Sequence, residues 1–294
     1  MIGQRVVSVF ERQRWLDPIG EMLVQIVQDF FEGLGPQGQE VQNVLYGDGI
    51  GHPLHVIMNE APLGAWTTAT MLDMLNAVSG SEKMATGADT AICFGLLGAV
   101  AASATGLVDW QHLTGRTRRI GVAHALLNAT SSVLYVSSLI ARWRGSRGTG
   151  RRLGFIGLST ATVGAFLGGH LVFGLRVGVD HTAGQSLPSE FVPVLDDQEL
   201  SEGQLQRVEV EGVPILVVRQ GGQIFALAET CAHLGGPLAD GELQGRSVIC
   251  PWHGSRFDLA SGRVIDGPTV HAQPCLETRV RDGQIEVRHV GPSS

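Results

Sequence analysis

The hydrophobic pattern divides the chain of 294 residues into a helical part and a strand-rich part. Four apolar segments of about 20 residues, the length that a bilayer core requires of a helix, lie before residue 178. Their approximate bounds are residues 53–78, 88–108, 120–140 and 153–177. Soluble helices seldom lack charged residues over such lengths. The pattern therefore predicts a four-span transmembrane helical bundle over residues 51–177.

An amphipathic helix is predicted ahead of these spans, within an N-terminal segment covering residues 1–50. Its apolar positions recur at spacings of three and four between Ile19 and Leu34, while the opposite face is polar. This helix is too short and too polar to span a bilayer. We expect it to lie at the membrane interface or against the bundle.

Arginine residues indicate how the bundle is oriented. They are more frequent in the loop between the third and fourth spans than next to the spans on the opposite face. The positive-inside rule then places this loop in the cytoplasm and both termini outside. The N-terminus lacks a short apolar run with a small-residue cleavage site, so a cleaved signal peptide is not expected. The chain is predicted to be a multi-pass cell-membrane protein with an extracytoplasmic C-terminal domain.

Beyond a linker at residues 178–190, rich in glycine, serine and proline, the pattern changes to alternating apolar and polar positions. Three turn dipeptides, Glu211-Gly212, Gly221-Gly222 and Asp282-Gly283, interrupt these alternating runs. Alternation around such dipeptides is typical of β-hairpins. We therefore predict an all-β domain over residues 191–294. The fold class is multidomain: a helical membrane bundle with an N-terminal amphipathic helix, followed by an antiparallel β domain.

Charge is distributed unevenly between these parts. Residues 190–294 contain 15 acidic and 8 basic side chains, so this segment carries the whole net charge of −7. Nucleic acid is an unsuitable partner, because no basic stripe is present to neutralise phosphates. A redox protein with a basic docking surface suits the β domain better.

Two short motifs in the β domain contain metal-ligand residues. Cys231-x-His233 and Cys250-x-x-His253 are separated by 16 residues, and their residue types suit either zinc or an iron-sulfur cluster with two histidines. A Cys-x-His loop fits zinc poorly, because zinc knuckles usually leave two or more residues between ligands. Two irons remove this difficulty, since each loop can give its cysteine to one iron and its histidine to the other.

These motifs resemble the Rieske [2Fe-2S] family in CAHLGGPL at residues 231–238 and CPWHGSRFD at residues 250–258. The resemblance extends over about residues 190–290. It implies that Cys231 and Cys250 bind one iron, that His233 and His253 bind the other, and that the cofactor is a [2Fe-2S] cluster.

The sequence departs from high-potential respiratory Rieske proteins at three positions. Gly236 and Trp252 occupy the places of two disulfide-forming cysteines, and Phe257 replaces a tyrosine. Ser255 remains as a hydroxyl donor to the cluster. With fewer hydrogen bonds to sulfur, the potential is expected in the lower part of the Rieske range of about −150 to +300 mV. In this respect the domain resembles a Rieske ferredoxin.

Ionisable residues near the ends of the spans suggest a second site. His55, His124 and His170 are predicted at one face of the bundle, with Glu60 one or two turns deeper than His55. Two histidines at similar depth could ligate a b-type haem, and the same groups could bind a quinol. The alternative is that these histidines anchor the helices at the interface.

A second resemblance concerns GHPLHVIMNEAPLGAW at residues 51–66, GLVDW at 106–110 and GGHLVFGLRVGVD at 168–180. These segments resemble an uncharacterised family of bacterial four-helix membrane domains. The resulting hypothesis is a membrane-anchored Rieske electron-transfer protein of the bacterial cell membrane. The alternatives are a quinol-oxidising subunit of a respiratory-type oxidoreductase and a non-redox sensor or interaction protein with a structural cluster.

Overall fold

A computed structural model describes residues 2–289, except for the side chain of Ile2. Met1 and the last five residues of the predicted β domain, 290–294, lie outside the described residues. The chain forms two compact units. The first contains the chain up to Gly38 together with Pro53–Leu175, and the second contains Gln39–His52 together with the chain from Arg176 onward. This division into units differs from the domain boundaries expected from the sequence. Residues 39–52 group with the β-rich unit rather than with the N-terminal segment.

The described residues of the first unit form helices joined by short turns. Three helices precede the predicted bundle: α1 (Ile2–Glu11), α2 (Leu16–Gly33) and α3 (Pro36–Tyr46), the last of which continues into the second unit. The bundle contains α4 (Leu54–Ser79), α5 (Glu82–Trp110), α6 (Gly115–Trp143) and α7 (Arg147–Gly169). A π-helical turn, His170–Gly174, ends α7.

The four long helices pack as two hairpins, α4 against α5 and α6 against α7. The hairpins meet through α5 with α6 and through α4 with α7, so α4 and α6 are diagonal neighbours. Glycines permit close packing within each hairpin: Gly95 of α5 lies against the Trp66 indole of α4, and Gly157 of α7 lies against the Tyr135 ring of α6.

Among the described residues, three helical segments are long and apolar enough to cross a membrane: Glu82–Trp110, Gly115–Trp143 and Arg147–Gly174. Helix α4 has 26 residues but is not among them, because Asn59, Glu60, Asp73 and several threonines lower its hydropathy. The predicted helical bundle is confirmed as an architecture, whereas the count of four spans is not confirmed.

The second unit contains two antiparallel sheets. The six-stranded sheet has the order β1-β10-β9-β4-β3-β2 and the four-stranded sheet the order β5-β6-β7-β8. The strands of the six-stranded sheet are β1 (Val192–Asp196), β2 (Leu205–Val210), β3 (Val213–Gln220), β4 (Gln223–Ala228), β9 (Cys275–Arg281) and β10 (Gln284–His289). Those of the four-stranded sheet are β5 (Glu242–Gln244), β6 (Ser247–Ile249), β7 (Arg256–Asp258) and β8 (Val264–Asp266).

The predicted hairpins are confirmed at all three turn dipeptides. Val210 pairs with Val213, Gln220 with Gln223 and Arg281 with Gln284, so each hairpin loop has two residues. Both residues of each turn have positive φ, from 52° at Glu211 and Asp282 to 82° at Gly212. These values define type I′ turns, whose twist matches that of the flanking strands.

The short segment Gln39–His52 is anchored to the loop after β8. The Asn43 side chain donates to Asp266 Oδ1 at 3.1 Å and accepts from the Gly267 N–H at 3.0 Å. Tyr46 is buried, with its ring against Gly267. A segment that precedes the bundle in sequence therefore belongs to the packing of the β-rich unit.

Candidate metal centre

Two loops of the second unit contain the predicted metal ligands, and they share one backbone conformation. The first follows β4 and the second connects β6 to β7. In each loop, the cysteine N–H donates to the carbonyl five residues later, and the glycine N–H four residues later donates back to the cysteine carbonyl. These bonds are Cys231 N to Gly236 O (2.8 Å), Gly235 N to Cys231 O (2.9 Å), Cys250 N to Ser255 O (2.8 Å) and Gly254 N to Cys250 O (3.1 Å).

Glycine is required at the tight turn of each loop and where the loops meet. Gly235 and Gly254 both have a φ of 79°, in the left-handed region that other residues avoid. A Cβ on Gly236 would lie 2.8 Å from Cys250 Sγ. The two loops thus face each other closely, and a side chain at position 236 would intrude on the sulfur.

The four ligand candidates differ in their exposure. Cys231 is fully buried and Cys250 is 3 % exposed, and both belong to the core between the two sheets. His233 and His253 are half-buried, with ring centroids 5.0 Å apart and planes at 89°. Cysteines therefore lie on the inner side of the site and histidines on its outer side.

Within residues 2–289, no three His, Cys, Asp or Glu side chains converge closely enough to hold one metal ion. A Rieske cluster requires only two protein ligands for each iron.

Hydrogen bonds govern the protonation of the two thiols. The contact with Cys250, together with burial, raises the pKa of Cys231, whereas the bond from the Cys231 thiol lowers the pKa of Cys250. Backbone N–H groups also point at the sulfurs, from His233 to Cys231 and from Trp252 and His253 to Cys250. Donors that stabilise a thiolate also suit a sulfur bound to iron.

Ser255, the predicted hydroxyl donor, lies beside the sulfur of Cys231. Its side chain is fully buried, and its hydroxyl bonds to the Cys231 sulfur. Its Oγ accepts the Thr269 backbone N–H at 3.3 Å. This bond uses a lone pair of the oxygen, so the hydroxyl hydrogen can point at the sulfur.

Sequence reasoning missed Gln273, which holds the first ligand loop. Its amide nitrogen donates to the carbonyls of Ala228 (2.6 Å) and Thr230 (2.7 Å), and its oxygen accepts the Ala232 N–H at 3.0 Å. Gln273 is 1 % exposed. A lone glutamine 41 residues after Ala232 gives no sequence signal, because only the return of the chain before β9 brings it to the loop.

We expect Gln273→Leu to destabilise the domain by about 2–4 kcal/mol, because two buried backbone groups and one part-buried group lose their partner. Chemical unfolding measures the change in the free energy of unfolding. We also expect the variant to release its cluster faster. Gln223→Leu is the matched control, since Gln223 is exposed at a hairpin turn. Equal stability of the two variants would contradict the role given to Gln273.

The candidate residues of the helical unit are only partly brought together. His55 of α4 and His124 of α6 are neighbours, with ring centroids 6.3 Å apart. His170 lies in the π-helical turn, where its ring packs against Gly174. Glu60 is exposed on α4. The structure therefore groups two of the four candidates.

The sheets and the paired loops define an iron-sulfur domain of the Rieske type. A family model for the Rieske [2Fe-2S] domain matches residues 190–277, and one for a predicted membrane protein, DUF2231, matches residues 51–181. The chain belongs to the Rieske [2Fe-2S] family through its C-terminal third. It therefore contains a ferredoxin-like electron-transfer domain, which implies a [2Fe-2S] cluster.

The chain is similar to small Rieske ferredoxins over most of their length. Ferredoxin CarAc of Metapseudomonas resinovorans is 31% identical over 90 residues, which are 30% of this chain and 84% of that protein. The ferredoxin component of the naphthalene 1,2-dioxygenase system of Pseudomonas aeruginosa is 37% identical over 70 residues, 24% of this chain and 67% of that protein.

Two further similarities are partial. Apoptosis-inducing factor 3 of Homo sapiens is 32% identical over 91 residues, 31% of this chain, and the chain spans only 15% of the length of that protein. The solved ferredoxin of carbazole 1,9a-dioxygenase from Nocardioides aromaticivorans IC177 is 27% identical, with a TM-score of 0.33, over 35% of this chain and 100% of that one.

Proposed function

We propose that this protein is a membrane-anchored Rieske electron carrier that exchanges single electrons with a redox partner and with a second site in its helical unit. The matched pair of ligand loops supports this proposal most directly. Each loop presents one cysteine and one histidine from the same backbone conformation, with the cysteines buried and the histidines half-buried. The helical unit, with three segments apolar enough to cross a membrane, would provide the anchor.

In this proposal Cys231 and Cys250 hold one iron, and His233 and His253 hold the other. The donor set fits, since it supplies two thiols and two imidazoles from facing loops, and Gly236 leaves the space beside Cys250 clear. A bound cluster would supply a centre that accepts and releases one electron. The protein orients the ligands, excludes water from the cysteines and donates hydrogen bonds to their sulfurs.

The half-buried histidines favour electron exchange at the outer edge of the site. Trp252, 55% exposed, lies next to His253, with ring centroids 6.3 Å apart. An exposed aromatic ring beside a ligand is suited to contact with a docking protein. The acidic excess of this domain favours a partner with a basic surface around its own redox centre.

The second site belongs to the helical unit and would take a b-type haem or a quinol. His55, His124, His170 and Glu60 are its candidate residues, and the proximity of His55 to His124 favours a site formed by these two. If the site takes quinol, the protein is a quinol-oxidising subunit rather than a simple carrier.

Purification of the full chain in detergent from a washed membrane fraction tests the proposal. Reversible dithionite reduction should produce the rhombic paramagnetic signal of a Rieske centre, with the protein absent from the soluble fraction. Reduction of the cluster by a quinol analogue would favour the subunit function over the carrier. A cluster that cannot be reduced, or a protein found in the soluble fraction, would contradict the proposal.

Ser255→Ala is expected to lower the reduction potential by roughly 50 mV, because a tenfold change in a one-electron equilibrium corresponds to 59 mV. In the parent protein, the Ser255 hydroxyl stabilises the reduced cluster, which is more negative, more than the oxidised cluster. Removing the hydroxyl therefore disfavours reduction. A redox titration followed by the paramagnetic signal measures the shift. Ser261→Ala is the control, since its hydroxyl bonds to Asp258 in an exposed turn. An unchanged or raised potential in Ser255→Ala would contradict the assignment.

A further inference from the structure

The two hairpins of the helical unit contain an internal repeat. HVIMN at residues 55–59 of α4 and HALLN at residues 124–128 of α6 share a histidine followed four residues later by an asparagine. Eleven residues after each histidine comes an aromatic residue, Trp66 or Tyr135. Every residue of the second hairpin named here lies 69 positions after its counterpart. The repeat places one histidine on each of two diagonal helices.

Matching residues of the two helices meet in three successive layers. His55 faces His124, with ring planes at 85°. Trp66 stacks on Tyr135, with centroids 4.3 Å apart and planes at 18°. In the third layer, Asp73 is bonded to Arg142, its counterpart in the repeat. An approximate two-fold axis thus runs between α4 and α6, and the histidine pair lies on it.

Each histidine is held in the same way by the other helix of its hairpin. His55 Nδ1 lies 2.8 Å from the Ala102 carbonyl, and His124 Nδ1 lies 2.8 Å from the Gly164 carbonyl. One turn further along, a Cβ on Gly106 would lie 2.7 Å from the His55 ring, and one on Gly168 would lie 2.9 Å from the His124 ring. Small residues therefore fit both rings closely against the helix.

These bonds determine the tautomer of both rings. A carbonyl can only accept, so each Nδ1 carries the hydrogen and each Nε2 keeps its lone pair. Histidines that bind metal almost always donate their other N–H in this way, often to a backbone carbonyl. The repeat thus prepares two imidazoles as metal ligands.

Among the described residues, the polar side chains that contact the two rings do not lie along the Nε2 lone pairs. Thr105 Oγ1 lies 3.5 Å from His55 Nδ1. The Asn128 amide nitrogen lies 3.4 Å from His124 Nδ1 and 3.2 Å from Nε2. A group almost equidistant from both ring nitrogens is above the ring or beside the carbon between them, rather than along the lone pair of Nε2.

We propose that His55 and His124 are the two axial ligands of a b-type haem in the helical unit. This inference rests on the proposed function. Of the two molecules named there for the second site, it selects the haem over the quinol. Imidazoles on opposite sides of a metal, each bonded at about 2 Å, have ring centroids about 6 Å apart, close to the observed 6.3 Å. The pair supplies two ligands, and a haem brings the remaining four nitrogens itself. Facing helices of a four-helix bundle are a common place for such a cofactor.

Spectroscopy of the full chain, expressed with a haem precursor and purified in detergent, tests the site. The reduced protein should show a sharp visible band beyond the cluster absorption and about three irons per chain instead of about two. His55→Ala and His124→Ala should each remove the band and one iron, while Cys93→Ala, at an exposed position of α5, should retain both. His55→Met should keep haem but shift the band, since a thioether can replace the imidazole.

The paramagnetic signal of the cluster separates failure of this inference from failure of the proposed function. A chain with a full cluster signal but no haem band overturns the haem site and leaves the electron carrier intact. Persistence of the band in both His55→Ala and His124→Ala also overturns the assignment. Loss of the band in those variants, with an unchanged cluster signal and a helical circular dichroism spectrum and unfolding midpoint equal to those of the parent chain, supports it, because a misfolded helical unit would change the spectrum or the midpoint.

Discussion

Cys250→Ala is expected to abolish the [2Fe-2S] cluster completely. Cys250 is buried in the core between the sheets, facing the first ligand loop across Gly236. Without its sulfur, one iron keeps a single protein ligand, and a cluster held in this way is not retained. The visible absorption of the cluster and its paramagnetic signal should both disappear, with the iron content falling by about two atoms per chain.

Cys275→Ala is the matched control for this experiment. Cys275 begins β9 and packs against the same core, so its replacement makes a comparable change in volume within the same unit. We expect the cluster to remain in this variant. Retention of the cluster in Cys250→Ala, or its loss in Cys275→Ala alone, would contradict the ligand assignment.

Arg142→Met is expected to destabilise the helical unit by about 3–5 kcal/mol, the usual effect of removing one partner from a buried ion pair. Arg142 is buried and bonds to both Asp73 and Asp89, at 2.9 Å in the latter case. Arg147 lies 3.6 Å from Asp73 and 2.6 Å from Asp89. Two acids and two bases therefore neutralise each other, and the variant leaves one excess negative charge inside the bundle.

Unfolding of the purified chain in a denaturing detergent, followed by helical circular dichroism, measures this effect. Arg144→Met is the control, because Arg144 is exposed just beyond the end of α6. The cluster signal should be the same in both variants before unfolding begins. Similar unfolding midpoints for the two variants would show that the ion network does not stabilise the bundle.

Much of the β-rich unit could be predicted because its signals are local. Each of the three turn dipeptides ends in a glycine, which tolerates positive φ, and this determines hairpin position and register. The Cys-x-His and Cys-x-x-His motifs, with a glycine four residues after each cysteine, specify similar loops. Such signals depend only on neighbouring residues, so they are visible in the sequence.

Contacts between distant segments could not be predicted in this way. Asn43 binds Asp266 and the backbone of Gly267 more than 200 residues later, and Gln273 supports a loop at residues 231–236. Each is a single polar residue without a periodic or spaced pattern around it. These side chains become buried and meet their hydrogen-bond partners only when the chain has folded.

The helical unit lies between these extremes. The lengths of the apolar segments and their lack of charged residues predict a membrane bundle. Helix α4, however, is too polar to be identified as a membrane span from its hydropathy. Four residues were candidates for a second site, and hydropathy could not choose among them. The repeated histidine and asparagine spacing in α4 and α6 was the sequence signal that could have identified the pair.

Hydropathy, turn chemistry and ligand spacing are properties of contiguous residues, so the sequence alone was enough to predict an apolar helical part, an acidic β domain and the Rieske motifs. Which polar residues support the ligand loops, and which histidines face each other, could be seen only in the folded chain. Those choices depend on helix and strand packing, which brings together side chains that the sequence leaves far apart.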